Sequence, residues 1–248
     1  VGAYVQEPHV WANITETCHC IDGARDQVIF HDNDFEIFVD PDGDTHYYYE
    51  YEVNALNATW DLCLNRPYSD GGHENSTRVF GAQGWDYQPW SSASPGAPPL
   101  KCAVFVDGAV NDPAGPLDRF WTVEVALPLQ SLAQNNDATS PPKHGDFWRI
   151  NFSRVEWHVT VVNGRYQKDP KYPEEDNWVW SPQGQVAMHL PEKWGMLQFS
   201  TEAPRGTPAV HNPEWPLRSV AMHVYYAEHA YAANHSGVFT DDVRGLKE

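Results

Sequence analysis

Carboxylates alternate with apolar and aromatic side chains in residues 34–54, and these residue types suit binding of a polar, ring-shaped ligand. Apolar side chains occupy every second position of residues 35–39, and a second alternating run covers residues 47–53. Because successive side chains of a strand point to opposite faces, each run has an apolar face and a face that carries carboxylates. Between the runs, Pro41 presets φ and Gly43 accepts a positive φ. The segment therefore predicts a β-hairpin.

The predicted turn of this hairpin carries three carboxylates of its own. Asp40, Asp42 and Asp44 occupy alternate positions around Gly43. Carboxylate oxygens are the ligands that calcium prefers, so these three residues are a candidate calcium site. The turn does not have the twelve-residue pattern of a dedicated calcium loop, and an Asp-Gly turn forms without any metal. Calcium binding and plain turn chemistry are both interpretations of this segment.

Strand patterns recur over residues 1–200, with loops rich in Pro and Gly between them and no long helical pattern. This organisation predicts an all-β fold, an antiparallel β-sandwich. The residues expected to face its core are Phe35, Ile37, Val53, Val123, Val125 and Ile150.

The character of the chain changes after the sandwich region. Residues 201–213 are rich in Pro and Gly, which predicts a linker, and residues 214–248 form a predicted helical extension. A helix over residues 214–234 needs packing to be stable, so we expect its apolar stripe to dock on the sandwich or on a partner chain. The stripe consists of Val220, Val224, Ala227 and Tyr231.

Five segments, in order, resemble the family 9 carbohydrate-binding modules and their extracellular relatives. The resemblance covers residues 3–200, and its motifs lie at residues 28–64, 121–128, 148–157, 177–184 and 191–195. It implies a sandwich fold and carbohydrate binding, and calcium-binding members of the family favour the calcium interpretation. It also implies that further N-terminal strands belong to the sandwich, supplied by upstream sequence or by an adjacent chain.

The same resemblance implies a carbohydrate site. In family members two Trp rings sandwich a sugar, and the corresponding positions here are Phe30 and the vicinity of Met188. Glu36 matches a glutamate that binds sugar hydroxyls, and Asn54 matches an asparagine. Glu52 stands where those members have an arginine, so one polar position and both ring positions differ from the family pattern.

Trp178 and Trp180 are a further pair of candidate sugar-binding residues. They alternate on one predicted strand and therefore share a face. Two interpretations remain open, because a pair of Trp side chains can belong to the sandwich core or form an exposed platform for a sugar.

The charge of the chain limits its partners. It has 34 acidic and 16 basic residues, a formal net charge of −18. A phosphate backbone would be repelled, which excludes nucleic acid, and anionic polysaccharides are disfavoured unless calcium bridges the charges. No stretch approaches 18 uninterrupted apolar residues, so the sequence predicts no membrane span. A neutral glycan or polysaccharide is the expected partner.

Glycosylation sequons and cysteines favour a secreted, extracellular protein. Asn151 also begins a sequon, but it lies in a predicted strand and is expected to be unmodified. We predict a disulfide between Cys63 and Cys102, whose apolar runs are expected to be neighbouring strands, which leaves Cys18 and Cys20 free to pair with another chain. The expected glycosylation sites are Asn13, Asn57, Asn75 and Asn234.

These observations favour non-catalytic, extracellular carbohydrate binding. One alternative is a structural glycoprotein that assembles into an extracellular filament or matrix, which the changed ring positions and the unpaired Cys18 and Cys20 favour. A second alternative is the accessory module of a glycoside hydrolase whose catalytic domain lies outside this sequence.

Overall fold

The computed structural model describes residues 1–15, 28–75, 100–129, 132, 137–202 and 208–246. In these residues two antiparallel sheets pack face to face, and a helix follows them near the C-terminus. The elements are β1 (Gly2–Gln6), β2 (Asp34–Asp40), β3 (Tyr48–Asn54), β4 (Thr59–Leu64), β5 (Glu74–Asn75), β6 (Lys101–Asp107), β7 (Phe120–Ala126), β8 (Phe147–Glu156), β9 (Val159–Val162), β10 (Arg165–Lys168), β11 (Asp176–Val179), β12 (Gly195–Gln198) and α1 (Trp215–Asn234).

The larger sheet has the strand order β11-β8-β2-β3-β4-β5, and β12 also pairs with β8. The smaller sheet has the order β1-β7-β6, and β9 and β10 form a separate hairpin. The strand pairings among the described residues are antiparallel. The predicted all-β, sandwich-like architecture with a C-terminal helix is therefore confirmed.

The hairpin predicted from the alternating pattern is formed by β2 and β3. In its register Phe35 lies opposite Val53, and Glu36 lies opposite Glu52. Gly43 has a φ of +69°, in the left-handed region that glycine adopts without a steric penalty. The hairpin prediction is confirmed.

The main core lies between the two sheets. Ile37 and Val53 of the larger sheet pack with Val123 and Val125 of the smaller sheet, and the four side chains are at most 4% exposed. Ile150 belongs to the same buried cluster, and Phe35 packs against it. All six residues predicted to face the core do so.

The opposite face of the larger sheet, which we call the outer face, has an apolar cluster of its own. Phe38, Tyr48 and Leu62 are fully buried there, together with Trp194. Ile29, in a short 3₁₀ turn (Ile29–His31), belongs to this cluster. Trp194 directly follows a second 3₁₀ turn (Pro191–Lys193). The larger sheet is therefore covered on both faces, and polar side chains on the outer face are buried as well.

Helix α1 packs on the sandwich through polar and aromatic side chains. Arg218 donates to the carbonyl oxygen of Asp42 over 2.8 Å, and His229 Nδ1 lies 2.9 Å from an oxygen of Asp70. Tyr225 also donates a hydrogen bond to Asp70. In the described residues, no helix is both long and apolar enough to cross a membrane.

The helix docks on the sandwich as predicted, and Ala227 and Tyr231 of the predicted apolar stripe are half-buried, but the prediction is wrong for Val220 and Val224. Val220 and Val224 are 58% and 42% exposed, and Leu217 beside them is 76% exposed. The loops that receive the helix present carboxylates and carbonyl groups, so hydrogen bonds from Arg218 and Tyr225 determine which face turns inward.

The predicted disulfide between Cys63 and Cys102 is absent, and both residues are free thiols. Their strands are not neighbours as expected, because β4 belongs to the larger sheet and β6 to the smaller one. Both side chains instead contribute to the core between the sheets. Cys18 and Cys20 lie outside the described residues.

Candidate functional site

Four glutamates line a pocket on the outer face of the larger sheet, which we call the acidic pocket. Glu36 comes from β2, Glu50 and Glu52 from β3, and Glu175 from the segment before β11. Glu36 lies directly opposite Glu52 in the register, and Glu50 lies opposite Phe38. Strand alternation brings Glu36, Glu50 and Glu52 together, since even-numbered positions of β2 and β3 share the face opposite the main core.

The deepest carboxylates of this region form a tight group. We call Asp34, Glu36 and Glu52 the acidic triad. One carboxylate oxygen of each residue lies within 4.8 Å of the other two. The three side chains are at most 4% exposed. Asp34 Oδ1 accepts the backbone N–H of Val155 at 3.4 Å, and Glu52 Oε2 accepts that of Phe30 at 3.0 Å.

Aromatic side chains and a methionine complete the walls of the acidic pocket. Phe30 and Met188 lie in its lining, together with Trp60, Tyr68 and His189. The Tyr68 and His189 rings meet edge to face with centroids 4.6 Å apart. The cavity volume is about 170 Å³.

Burial changes the acid–base properties of these groups. It raises the pKa of Glu36 to about 7. Burial, followed by the charges of neighbouring carboxylates, raises the pKa values of Asp34 and Glu52 well above their ordinary range. Burial also lowers the pKa of His189 to about 4, so this imidazole is neutral near pH 7. Its Nδ1 lies 3.0 Å from the Tyr48 hydroxyl.

The negative charge of the acidic pocket has no cationic counterpart in its lining. Among the described residues that line it there is no Lys or Arg, and the neutral His189 is the only basic side chain. Glu50 Oε2 lies 3.8 Å from His189 Nε2. The pocket is therefore suited to a ligand that donates hydrogen bonds or carries positive charge.

A second group of carboxylates lies in the β2–β3 turn, which we call the Asp40 loop (residues 40–44). Oxygens of Asp40, Asp42 and Asp44 also come within 4.8 Å of one another. Both oxygens of Asp40 accept backbone N–H groups, those of Gly43 and Thr45, at 3.0 Å. The structure thus brings together the residues of the predicted calcium site, and calcium binding there stays a prediction.

Arginine side chains surround the Asp40 loop. Arg149 lies opposite Asp40 in the strand register, and the two charges interact. Arg218 donates to the carbonyl oxygens of Asp42 and Gly43. The Asp42 oxygen Oδ1 is the remaining buried atom of the loop without a hydrogen-bond partner among the described residues.

The structure brings together four of the seven residues predicted to bind carbohydrate. Phe30, Glu36, Glu52 and Met188 all line the acidic pocket. Asn54 does not: its Nδ2 donates to the Ile14 carbonyl and to Asp32, and its Oδ1 accepts the N–H groups of Leu56 and Ala58. Asn54 therefore supports the turn after β3.

Trp178 and Trp180 lie apart from the acidic pocket. They are 60% and 57% exposed, which contradicts the interpretation that they are core residues. Asn177 points into the pocket, so Trp178, the next residue of β11, points to the other face. The ring of Trp180 packs against Phe152, with centroids 5.7 Å apart, and occupies space that a Cβ at Gly195 would fill.

Sequence reasoning missed several pocket residues. Glu50 could have been found, because it shares the strand parity of Glu36 and Glu52. The same parity places Asp34 on this face, although its side chain does not line the cavity. Tyr68 and His189 lie in segments between strands, where no alternating pattern predicts which way a side chain points.

The predicted glycosylation sites differ in accessibility. Asn13 and Asn234 are exposed, and Asn57 is half-buried in a turn. Asn151 is fully buried, and its side chain is hydrogen-bonded to the backbone of Ser181. The side chain of Asn75 lies outside the described residues.

The fold and the pocket together define a sandwich-like β protein with a small acidic cavity. No protein-family model matches the chain, and no curated protein is significantly similar to it. A solved structure of a protein described as a putative carbohydrate-binding protein from Bacteroides uniformis is 15% identical, with a TM-score of 0.41. The match covers 80% of this chain and 69% of that one.

Proposed function

We propose that the protein binds carbohydrate in the acidic pocket and performs no catalysis of its own. The observation that carries this proposal is the convergence of aromatic rings and carboxylates on one cavity. Phe30 and Tyr68 supply rings for the apolar face of a sugar, and Glu36 and Glu52 supply acceptors for its hydroxyl groups. Binding sites commonly combine apolar walls with a few placed polar groups in this way.

The size and charge of the pocket favour a small, neutral part of a glycan. Its volume of about 170 Å³ is below the range of about 300–1,000 Å³ that is typical for drug-sized ligands, so one sugar unit is the expected occupant. The four glutamates disfavour uronic acids and sulfated sugars. The ligand is therefore a neutral monosaccharide or a chain end.

We further propose that the protein acts outside the cell. The accessibility of Asn13 and Asn234, both of which begin sequons, supports this setting.

A glycan array followed by calorimetry tests the proposal. The wild-type protein is expected to bind one or more neutral glycans, and Glu36→Gln is expected to weaken binding by about 1–3 kcal/mol, or about 5–150-fold, because a charged acceptor is lost. Phe30→Ala should weaken binding of the same glycan because it removes the stacking surface.

Trp178→Ala is the matched aromatic control, since Trp178 is exposed but lies outside the pocket. Its affinity should equal that of the wild type. Equal affinities of wild type, Glu36→Gln and Phe30→Ala, with a loss in Trp178→Ala, would move the site to β11. No binding to any glycan would overturn the proposed function.

A further inference from the structure

We propose that Asp34, Glu36 and Glu52 bind a divalent cation of the calcium class. These three residues, the acidic triad, lie at the acidic pocket on the outer face of the larger sheet. The site is distinct from the Asp40 loop. It does not depend on sugar binding, because the geometry that supports it comes from the protein alone.

The separation of the carboxylate oxygens fits one calcium ion. One oxygen from each residue lies within 4.8 Å of the others. Calcium–oxygen distances are about 2.3–2.6 Å, so two ligands on opposite sides of an ion are separated by about 4.8 Å. All three carboxylates can therefore contact the same ion without a change of backbone.

An unpaired oxygen is the second observation that points to a ligand. Asp34 Oδ2 is buried and has no hydrogen-bond partner among the described residues. Glu36 Oε2 is buried as well, and the polar group that acts on the Glu36 carboxyl is the Ser153 hydroxyl. The Asp34 side chain is fully buried, and that of Glu36 is 4% exposed. Buried polar atoms are nearly always hydrogen-bonded or coordinated, since an unpaired one costs about 1–3 kcal/mol.

The charges that act on the triad come from other carboxylates, whereas Lys168 interacts with Glu175 and Asp32. No Lys or Arg is found among the described residues that line the pocket. The Asp40 loop, by contrast, has Arg149 and Arg218 beside it. Buried carboxylates without a partner are strongly disfavoured, and a divalent cation removes this penalty for the triad.

The ligand types select a hard cation. The triad offers carboxylate oxygens only, which suit calcium, magnesium and manganese, whereas zinc and copper sites usually include His or Cys. His189 is turned towards the Tyr48 hydroxyl and Glu50 rather than towards the triad. Calcium is favoured over magnesium because magnesium requires shorter, strictly octahedral contacts.

Calcium titration in the absence of sugar tests the proposal. Protein treated with a chelator is titrated with calcium and with magnesium by calorimetry, and thermal unfolding is followed with and without each ion. The wild type is expected to bind calcium and to unfold at higher temperature in its presence. Asp34→Asn is expected to weaken calcium binding by about tenfold or more, because it removes a charged ligand.

Asp34 is the informative position because its side chain does not line the cavity in which the sugar is proposed to bind. The variant keeps Oδ1, the acceptor for the Val155 N–H, so it is expected to fold, and circular dichroism checks this. Glu124→Gln, an exposed change on β7 of the smaller sheet, is the matched control and should bind calcium as the wild type does.

Asp42→Asn distinguishes the two acidic clusters. If this variant loses calcium and Asp34→Asn keeps it, the ion belongs to the Asp40 loop and the proposal is overturned. A wild-type protein that binds neither calcium nor magnesium overturns it as well. Calcium binding without any glycan binding would leave the cation site intact and reject the proposed carbohydrate function alone.

Discussion

The acidic triad and the Asp40 loop are two clusters of three carboxylates on the same hairpin, and their surroundings differ. In the loop, backbone N–H groups satisfy both oxygens of Asp40, and Arg149 and Arg218 lie nearby. The loop also has one buried oxygen without a hydrogen bond, Asp42 Oδ1, but Arg218 donates to the carbonyl of the same residue. In the triad, Asp34 Oδ2 is unpaired, and the charges that act on the three residues come from other carboxylates. Two clusters with the same number of carboxylates therefore differ in the positive charge beside them.

The largest expected effect comes from removing the positive charge beside the Asp40 loop. Arg149 and Asp40 are both buried, and Arg149 also donates to the Trp194 carbonyl oxygen and lies over the Trp215 ring. Arg149→Met should lower the free energy of unfolding by about 3–5 kcal/mol, because three contributions are lost together: the donor to the Trp194 carbonyl, the contact with the Trp215 ring and the positive charge beside Asp40. Urea unfolding measures this loss.

Arg218→Met is the control for that experiment. Arg218 contacts the same loop through part-buried carbonyl groups and is itself half-exposed, so its loss should cost about 1 kcal/mol. Equal effects of the two substitutions would mean that Arg149 does not compensate the loop, and the contrast between the two clusters would then fail.

Another buried carboxylate, Glu7, tests how far hydrogen bonds and one nearby arginine can compensate burial. Trp121 Nε1 donates to Glu7 over 2.9 Å, and Arg154 lies 3.4 Å away, yet burial raises the pKa of Glu7 to about 7. Because the folded protein holds this proton more tightly than the unfolded chain, the contribution of Glu7 to stability is complete below pH 4.5. It is lost as the pH rises to 7, a change of about 3 kcal/mol.

Urea unfolding between pH 4 and 8 measures this effect as the difference between wild type and Glu7→Gln. The amide cannot ionise, so the stability of the wild type relative to the variant should fall as the pH rises through about 4.5–7. Glu124→Gln should show no such trend, since Glu124 is exposed. A difference that does not vary with pH would show that Glu7 is fully compensated by its hydrogen bonds.

The smallest expected effect is the sharpest test. The same Asp→Asn substitution should lower the free energy of unfolding in the Asp40 loop and raise it in the acidic triad. Asp40→Asn removes an acceptor for the Gly43 or Thr45 N–H and should destabilise the protein by about 1–3 kcal/mol. Asp34→Asn relieves repulsion in the triad and should stabilise the calcium-free protein by about 1 kcal/mol. Added calcium should reduce or reverse this gain. Destabilisation by both substitutions in calcium-free buffer would contradict the comparison.

The local parts of the fold were predictable from the sequence. The period-two pattern placed Phe35, Ile37 and Val53 in the core, and the same pattern placed Glu36 and Glu52 together on the other face. The tail helix was also predictable, but its contact face was not. Its apolar residues Val220 and Val224 remain exposed, because the surface that receives the helix is polar.

The sequence by itself determined the hairpin, its turn at Gly43 and the shared face of Glu36 and Glu52, because strand alternation and turn geometry depend on neighbouring residues only. The tertiary structure decided which distant segments close the pocket. It brought Met188 to Phe30, placed Asn177 rather than Trp178 at the cavity, and put Cys63 and Cys102 on different sheets. These outcomes depend on how sheets and loops that are distant in the chain pack together, and the alternating pattern of a single strand does not predict that packing.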